Sequence, residues 1–235
     1  MILYLYALAE GLSDVSGLAA PHDAPIILLP FKHLVAASWL AAAPPVSKES
    51  LTAQDRLVRE LHAHATALLP MRYGTAVADT DAADAAIKKL GDAIGERLAL
   101  VRGREQMTLR VFEAGPPARR QGRVDDVSLE PPGIVSRATA DAAVPVDASI
   151  GAGTSYLAGR AALTAPPQAV RALLDAVSHL QRAVRVEAAK RGDAWTIYHL
   201  IDRGGGDDYR RVAAAAAAAI PLHIVVTGPS PCYAF

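Results

Sequence analysis

The sequence predicts a mixed α/β (α+β) protein of two domains. Three observations carry that reading. The chain has 235 residues, 51% of them hydrophobic, which is enough apolar material for one large or two small cores. Short aliphatic runs bounded by glycine or proline alternate with longer stretches whose apolar residues recur at helical spacing. The order of elements also changes along the chain. It reads strands then helices in the first half, and strand, helix, strand, helix, strand in the second. The change falls between Val101 and Arg104, so residues 1–103 and 104–235 are expected to form separate α/β domains.

Ile2 to Leu8 is aliphatic and aromatic and stops at Gly11, as a strand does. Ile26 to Leu29 and Leu34 to Leu40 read as two more strands, split by "PFKH". The apolar stretch Ile26 to Ala43 raises the question of a membrane span. Pro30, Lys32 and His33 interrupt it, and a spanning helix needs about 20 apolar residues with few charges. No membrane span is expected. Leu51, Leu57, Val58, Leu61, Ala65 and Leu68 recur at helical spacing behind a capping serine, so a helix is expected from Lys48 to Leu68, ended by Pro70. "PMRYGTAVA" is a short extended piece. "DTDAADAAIKKLGDAIGERLALVRG" reads as one amphipathic helix capped by Asp79 or Thr80.

In the second half, Met107, Leu109 and Val111 alternate with Thr108 and Arg110, the pattern of a half-buried strand. Gly115 to Gly153 is rich in proline, glycine, alanine and charge, so a long mobile loop is expected over residues 115–153. "SYLAGRAAL" reads as a short helix. "PPQAVRALLDAVSHLQRAVRVEAAKRG" reads as one long helix, with Val170, Leu173, Leu174, Val177, Leu180 and Val184 on one face and Gly192 at its end. "AWTIYHLID" is a strand. "RGGGDDYRRVAAAAAAAI" is a glycine turn, a capping aspartate and an alanine-rich helix. "PLHIVVTG" is the last strand. Beyond it, Tyr233 and Phe235 are two apart, so an extended chain puts both on one side and Cys232 on the other. The two aromatics are expected to latch back across the domain junction.

Lysine plus arginine equals aspartate plus glutamate, 24 each. That balance weighs against a nucleic-acid binder and against a polybasic membrane-surface protein. A single cysteine excludes an internal disulfide and a cysteine-rich zinc site, and fits a reducing compartment. His62 and His64 are two apart on a helix and point about 200° from each other, so they do not chelate one metal. His199 and Asp202, three apart on a strand, face opposite ways. "RGGGDD" precedes a helix but lacks the spacing of a phosphate loop, and Asp207 and Asp208 stand where an anion would go. Cys232 has neither a histidine beside it nor a helix N-terminus to lower its pKa. Asp125 and Asp126 fall in the loop expected to be mobile. No catalytic residue, metal site or cofactor is expected, and an interaction protein is favoured over an enzyme.

Four stretches carry a resemblance. "ILYLYAL" at the start, "LLPMRYGT" from Leu68 to Thr75, "GTSYLAGRAAL", and the close "YHLIDR", "DDYRRV" and "TGPSPCYAF" together resemble the gas vesicle protein F and L family, in order and over essentially the whole chain. At the end, Cys232 and Ala234 stand where the family often has proline and serine. The resemblance implies two α/β domains, the second ferredoxin-like, which would need one more strand than the pattern supplies. It implies a gas vesicle accessory or minor structural protein, cytoplasmic and at the gas vesicle. It would assist assembly by contacting the hydrophobic shell protein and other accessory proteins. It brings no catalytic residue and no cofactor. Arg72, Tyr73 and Gly74 in the "LPMRYGT" stretch, Tyr156 and Arg160 four apart in "SYLAGRAAL", and Tyr233 and Phe235 at the end are the candidate structural or partner-contact residues. The alternative is a small-molecule-binding regulatory protein or enzyme on a ferredoxin-like scaffold, with "RGGGDD" as its site.

Overall fold

The computed structural model describes residues 1–12, 14–18, 21, 24–112, 168–187 and 195–235. The loop expected at 115–153, the short helix with Tyr156 and Arg160, and Gly192 lie outside these residues. The described part contains two antiparallel sheets and five α-helices.

The first sheet is built on β1 (Ile2–Glu10), which is buried on both faces. It pairs with β3 (Leu34–Leu40) on one side, and β3 pairs with β2 (Ile27–Pro30). On its other side β1 pairs with β4 (Ala67–Pro70) and, further along, with the short β5 (Ala76–Val77). Helix α1 (Lys48–His64) begins at Ser47, whose side chain accepts the Ser50 N–H. It covers one face of the sheet, packing Leu57, Val58 and Leu61 against Tyr4, Tyr6 and Ala9. Helices α2 (Thr80–Leu90) and α3 (Ala93–Val101) cover the other, packing Ala83, Ile87, Ile94 and Leu98 against Leu3, Leu5 and Leu8.

Two expectations are corrected here. The helix expected to run to Leu68 stops at His64. Residues after it turn extended at Ala65 and continue into β4, where Leu68 pairs with Ala9 and Pro70 with Ala7. An apolar run of this length has no period of its own, and the open edge of β1 recruits it as a strand. The segment expected to be one helix from Thr80 is two, broken at Gly91 and Asp92. Asp79 caps the first of them, accepting from the Ala82 N–H.

The second sheet has the order β7-β8-β6-β9, formed by β6 (Arg104–Phe112), β7 (Gln181–Glu187), β8 (Trp195–Asp202) and β9 (His223–Ser230). Helices α4 (Gln168–Val177) and α5 (Gly206–Ala217) lie against one face. Met107, Leu109, Ile197 and Ile201 of the sheet meet Val170, Leu173, Tyr209 and Ala213 of the helices. The βαββαβ order with this antiparallel arrangement is the ferredoxin-like topology.

The strand missing from the sequence pattern is β7. The long helix expected to reach Gly192 ends at Val177, passes through a 3₁₀ turn at Ser178–Leu180, and becomes a strand. Val184, expected on the core face of that helix, is 49% exposed on the strand. Helical and strand spacing overlap in "LQRAVRVE", and pairing with β8 decides between them.

The two halves share a core. Leu200, Ala183, Cys232 and Phe235 of the second half join the cluster formed by β1, α2 and α3. Main-chain bonds reinforce the seam: Gly103 N–H donates to Thr66 O at 2.8 Å and Arg203 N–H to Gly103 O at 2.9 Å. The Arg203 guanidinium donates to Ala65 O at 2.9 Å.

Candidate functional site

The "LPMRYGT" stretch forms the end of β4 and the turn to β5. Its geometry is fixed from beneath by Tyr4, whose hydroxyl accepts the Gly74 N–H at 2.7 Å and donates to Gln54 Oε1 at 2.7 Å. Burial pushes the Tyr4 phenol up to about 12, so it stays a neutral donor. Gly74 has φ 83°, a conformation that glycine adopts without strain. The Tyr73 ring packs edge-on to Tyr4 at 6.3 Å, and its hydroxyl donates to Pro45 O at 2.7 Å. Tyr73 and Gly74 are therefore engaged internally. Arg72 is not. It is exposed, and its guanidinium has no hydrogen-bond or ion-pair partner among the described residues.

The C-terminal tail comes to the same place. Ala234 N–H donates to Gln106 Oε1 at 2.9 Å, and Arg185 of β7 donates to Ala234 O at 2.7 Å. Arg97 of α3 donates to the main-chain oxygen of Phe235. The tail thus bridges elements of both halves. Its inward residue is not the one expected: Cys232 is 1% exposed, and its Sγ lies 3.8 Å from Arg104 O. Burial pushes that thiol up to about 12, which disfavours the reactive thiolate. Phe235 packs on the shared core as anticipated, while Tyr233 is 47% exposed.

Between turn and tail lies a groove of about 860 Å³, lined by Pro70, Met71, Arg72, Thr75, Tyr233, Ala234 and Phe235 from these two stretches. Leu90, Arg97, Arg185, Glu187 and Tyr198 complete it. Glu187 lies 3.1 Å from Arg185 and accepts from the Tyr198 hydroxyl at 3.1 Å. Two family-like stretches far apart in sequence therefore form one surface. Tyr233, Phe235 and Arg72 meet there. Arg97, Arg185 and Glu187 carried no signal in the sequence; Tyr198 opens the family-like stretch "YHLIDR" but is not among the candidate site residues read from it. Arg97 is one helix arginine among several, and Arg185 lay in a segment read as helix.

The other candidates resolve differently. His62 is nearly buried in the seam, with Nε2 3.1 Å from Arg104 O and 3.3 Å from Arg203, while His64 is exposed. Burial and then Arg203 hold the His62 imidazole below its ordinary pKa. His199 is fully buried, with Nδ1 against the Tyr209 hydroxyl. At "RGGGDD" the helix starts from Gly205 without a side-chain cap. Asp207 and Asp208, one of them expected to cap, instead pair with Arg210 and Arg211. The anion at this helix start is the chain's own Glu105, whose Oε1 accepts the Gly204 N–H at 3.2 Å. Among the described residues no cluster of three or more histidine, cysteine or acidic side chains is placed to hold a metal. No described helix is long and apolar enough to cross a membrane.

These features define a mixed α/β protein with two antiparallel sheets, the second ferredoxin-like, with a groove between the "LPMRYGT" turn and the tail. A family model described as gas vesicle synthesis protein GvpL/GvpF matches residues 2–235, and the chain belongs to that family. Among solved structures it is similar to gas vesicle protein GvpF from Microcystis aeruginosa, with a TM-score of 0.69 and 15% identity over 100% of this chain and 98% of that one. It is also similar to GvpF from Anabaena sp. PCC7120, with a TM-score of 0.66 and 14% identity over 99% of this chain and 97% of that one. At these identities the likeness speaks for the fold. No curated protein sequence matches the chain.

Proposed function

We propose that this protein is a gas vesicle accessory or minor structural protein, cytoplasmic and at the vesicle. In this reading it assists assembly by binding the hydrophobic shell protein and other accessory proteins through the junction groove. Family membership supplies the setting. The observation that carries the surface is the convergence of the "LPMRYGT" turn and the C-terminal tail on one groove, where Arg72 has no partner among the described residues. Arg72, Tyr233 and Phe235 are its contact residues. Tyr73 and Gly74 shape the turn that presents Arg72.

The test is a pull-down and calorimetric titration of the purified chain with soluble shell-protein peptide. Association is expected. Arg72→Glu should weaken it roughly tenfold, as for an arginine at the centre of an interface. Absence of association under conditions that keep the peptide soluble counts against the reading. The ligand-binding alternative gains no support at "RGGGDD", since Glu105 already fills the anion position there.

A further inference from the structure

We infer that the junction groove recognises an acidic, amphipathic peptide segment, one that sets a carboxylate on Arg72 and an apolar side chain against Met71 and Leu90. The inference rests on the reading of the groove as a partner surface and adds the chemistry of what it takes.

The charge distribution argues for it. The chain as a whole is balanced, 24 cationic against 24 acidic side chains. The groove is not. Three guanidiniums from three separate elements, Arg72, Arg97 and Arg185, line it against one side-chain carboxylate, Glu187. Glu187 is already held by Arg185 and Tyr198. Arg97 and Arg185 hold main-chain oxygens of the tail. Arg72 has no hydrogen-bond or ion-pair partner among the described residues.

Arg59, Arg102, Arg182, Arg210 and Arg211 are also exposed, and each has a carboxylate partner. Arg72 shares with Arg56, Arg110 and Arg171 the lack of one among the described residues, and of these four it is the one that lines the groove. A planar guanidinium held on a fixed turn is suited to bidentate capture of a carboxylate. The rim supplies the apolar half: Leu90 is 55% and Tyr233 47% exposed, and both line the groove beside Met71. Large apolar side chains left open next to an unpaired arginine match a segment carrying both kinds of residue.

The test uses the full chain and two labelled ten-residue probes of about equal length and hydrophobicity, one alternating glutamate and leucine, the other lysine and leucine. Fluorescence polarisation should show binding of the glutamate probe only, weakening as salt rises. Arg72→Glu should reduce its affinity at least about tenfold, and Leu90→Asp should also reduce it. Arg72→Lys should retain part of it. Arg211→Glu, remote from the groove, should leave it unchanged. Melting curves confirm that the variants fold. Equal binding of both probes, binding of neither, or indifference to Arg72→Glu overturns the inference. If the shell-protein pull-down succeeds while the glutamate probe fails, the assembly role stands and the acidic-segment inference falls. If the probe behaves as expected while the pull-down fails, the groove chemistry stands with a different partner.

Discussion

The Tyr233 hydroxyl donates to Asp55 Oδ1 at 2.8 Å, joining the end of the chain to helix α1 of the first half. The bond is exposed, so its worth is at most about 1 kcal/mol. The apolar anchors of the tail are its neighbours, Cys232 and Phe235, which sit in the shared core. Tyr233→Phe is therefore expected to change stability by less than about 1 kcal/mol. Deleting Pro231 to Phe235 should cost a few kcal/mol, at about 25 cal/mol for each Å² of apolar surface returned to water. Urea unfolding followed by tryptophan fluorescence reads both. An unchanged midpoint for the truncated chain would mean that the tail contributes no stability and is a free docking segment.

Stability should fall with acid through His199. Its imidazole is fully buried on β8, with the Tyr209 hydroxyl at Nδ1 and no partner at Nε2 among the described residues. Burial lowers its pKa from 6.5 to about 4. In that window the unfolded chain binds the proton and the folded chain does not, so unfolding is favoured as pH drops below the unfolded value. Between about pH 7.5 and about pH 5 the loss is about 2 kcal/mol. His62, also lowered, adds in the same direction. The double variant His199→Phe with Tyr209→Phe removes the titrating group without orphaning the hydroxyl, and should flatten this slope. A slope equal to wild type would show that His199 does not carry it.

Glu105 stands at the start of α5 and is 8% exposed. Burial raises its pKa, while the Gly204 N–H and Arg203 oppose the rise. Glu105→Ala leaves the Gly204 N–H and the helix start without their acceptor, at a cost of about 1–3 kcal/mol. Added sulfate should then stabilise the variant more than the wild type, because the vacated position fits an anion. Equal sulfate response in both would mean that Glu105 does not act as the internal anion.

Much of the fold was legible where a residue pattern has one physical meaning. The strand β6, the aliphatic runs of β1 and β3, the cap Ser47 and one of the two candidate caps, Asp79, read correctly, because period and capping chemistry are local; β6 departs from the half-buried reading, since Glu105, Gln106 and Thr108 are buried along with Met107, Leu109 and Val111. The errors fell at the Gly91–Asp92 break, at the start of α5, where neither Asp207 nor Asp208 caps the helix, and at β4 and β7, read wholly or partly as helix. β4 and β7 are short segments whose apolar residues fit helix and strand equally, and both were settled by an open sheet edge that sequence does not display. The tail was legible as ordered. Which of its residues faces inward was not, because Gly228 near the end of β9 and Pro231 just after it redirect the chain before Cys232.

The sequence by itself determined the mixed α/β class, the neutral balance that weighs against a nucleic-acid partner, and the stretches that mark the family. Those properties belong to composition and to residues close in the chain. Tertiary structure alone decided that Arg72 and Phe235 line one groove, that Arg97 and Arg185 join them, and that of these three guanidiniums Arg72 is the one without a partner among the described residues. Charge pairing across long separations depends on which strands become neighbours, and β7, which brings Arg185, exists as a strand only because β8 pairs with it.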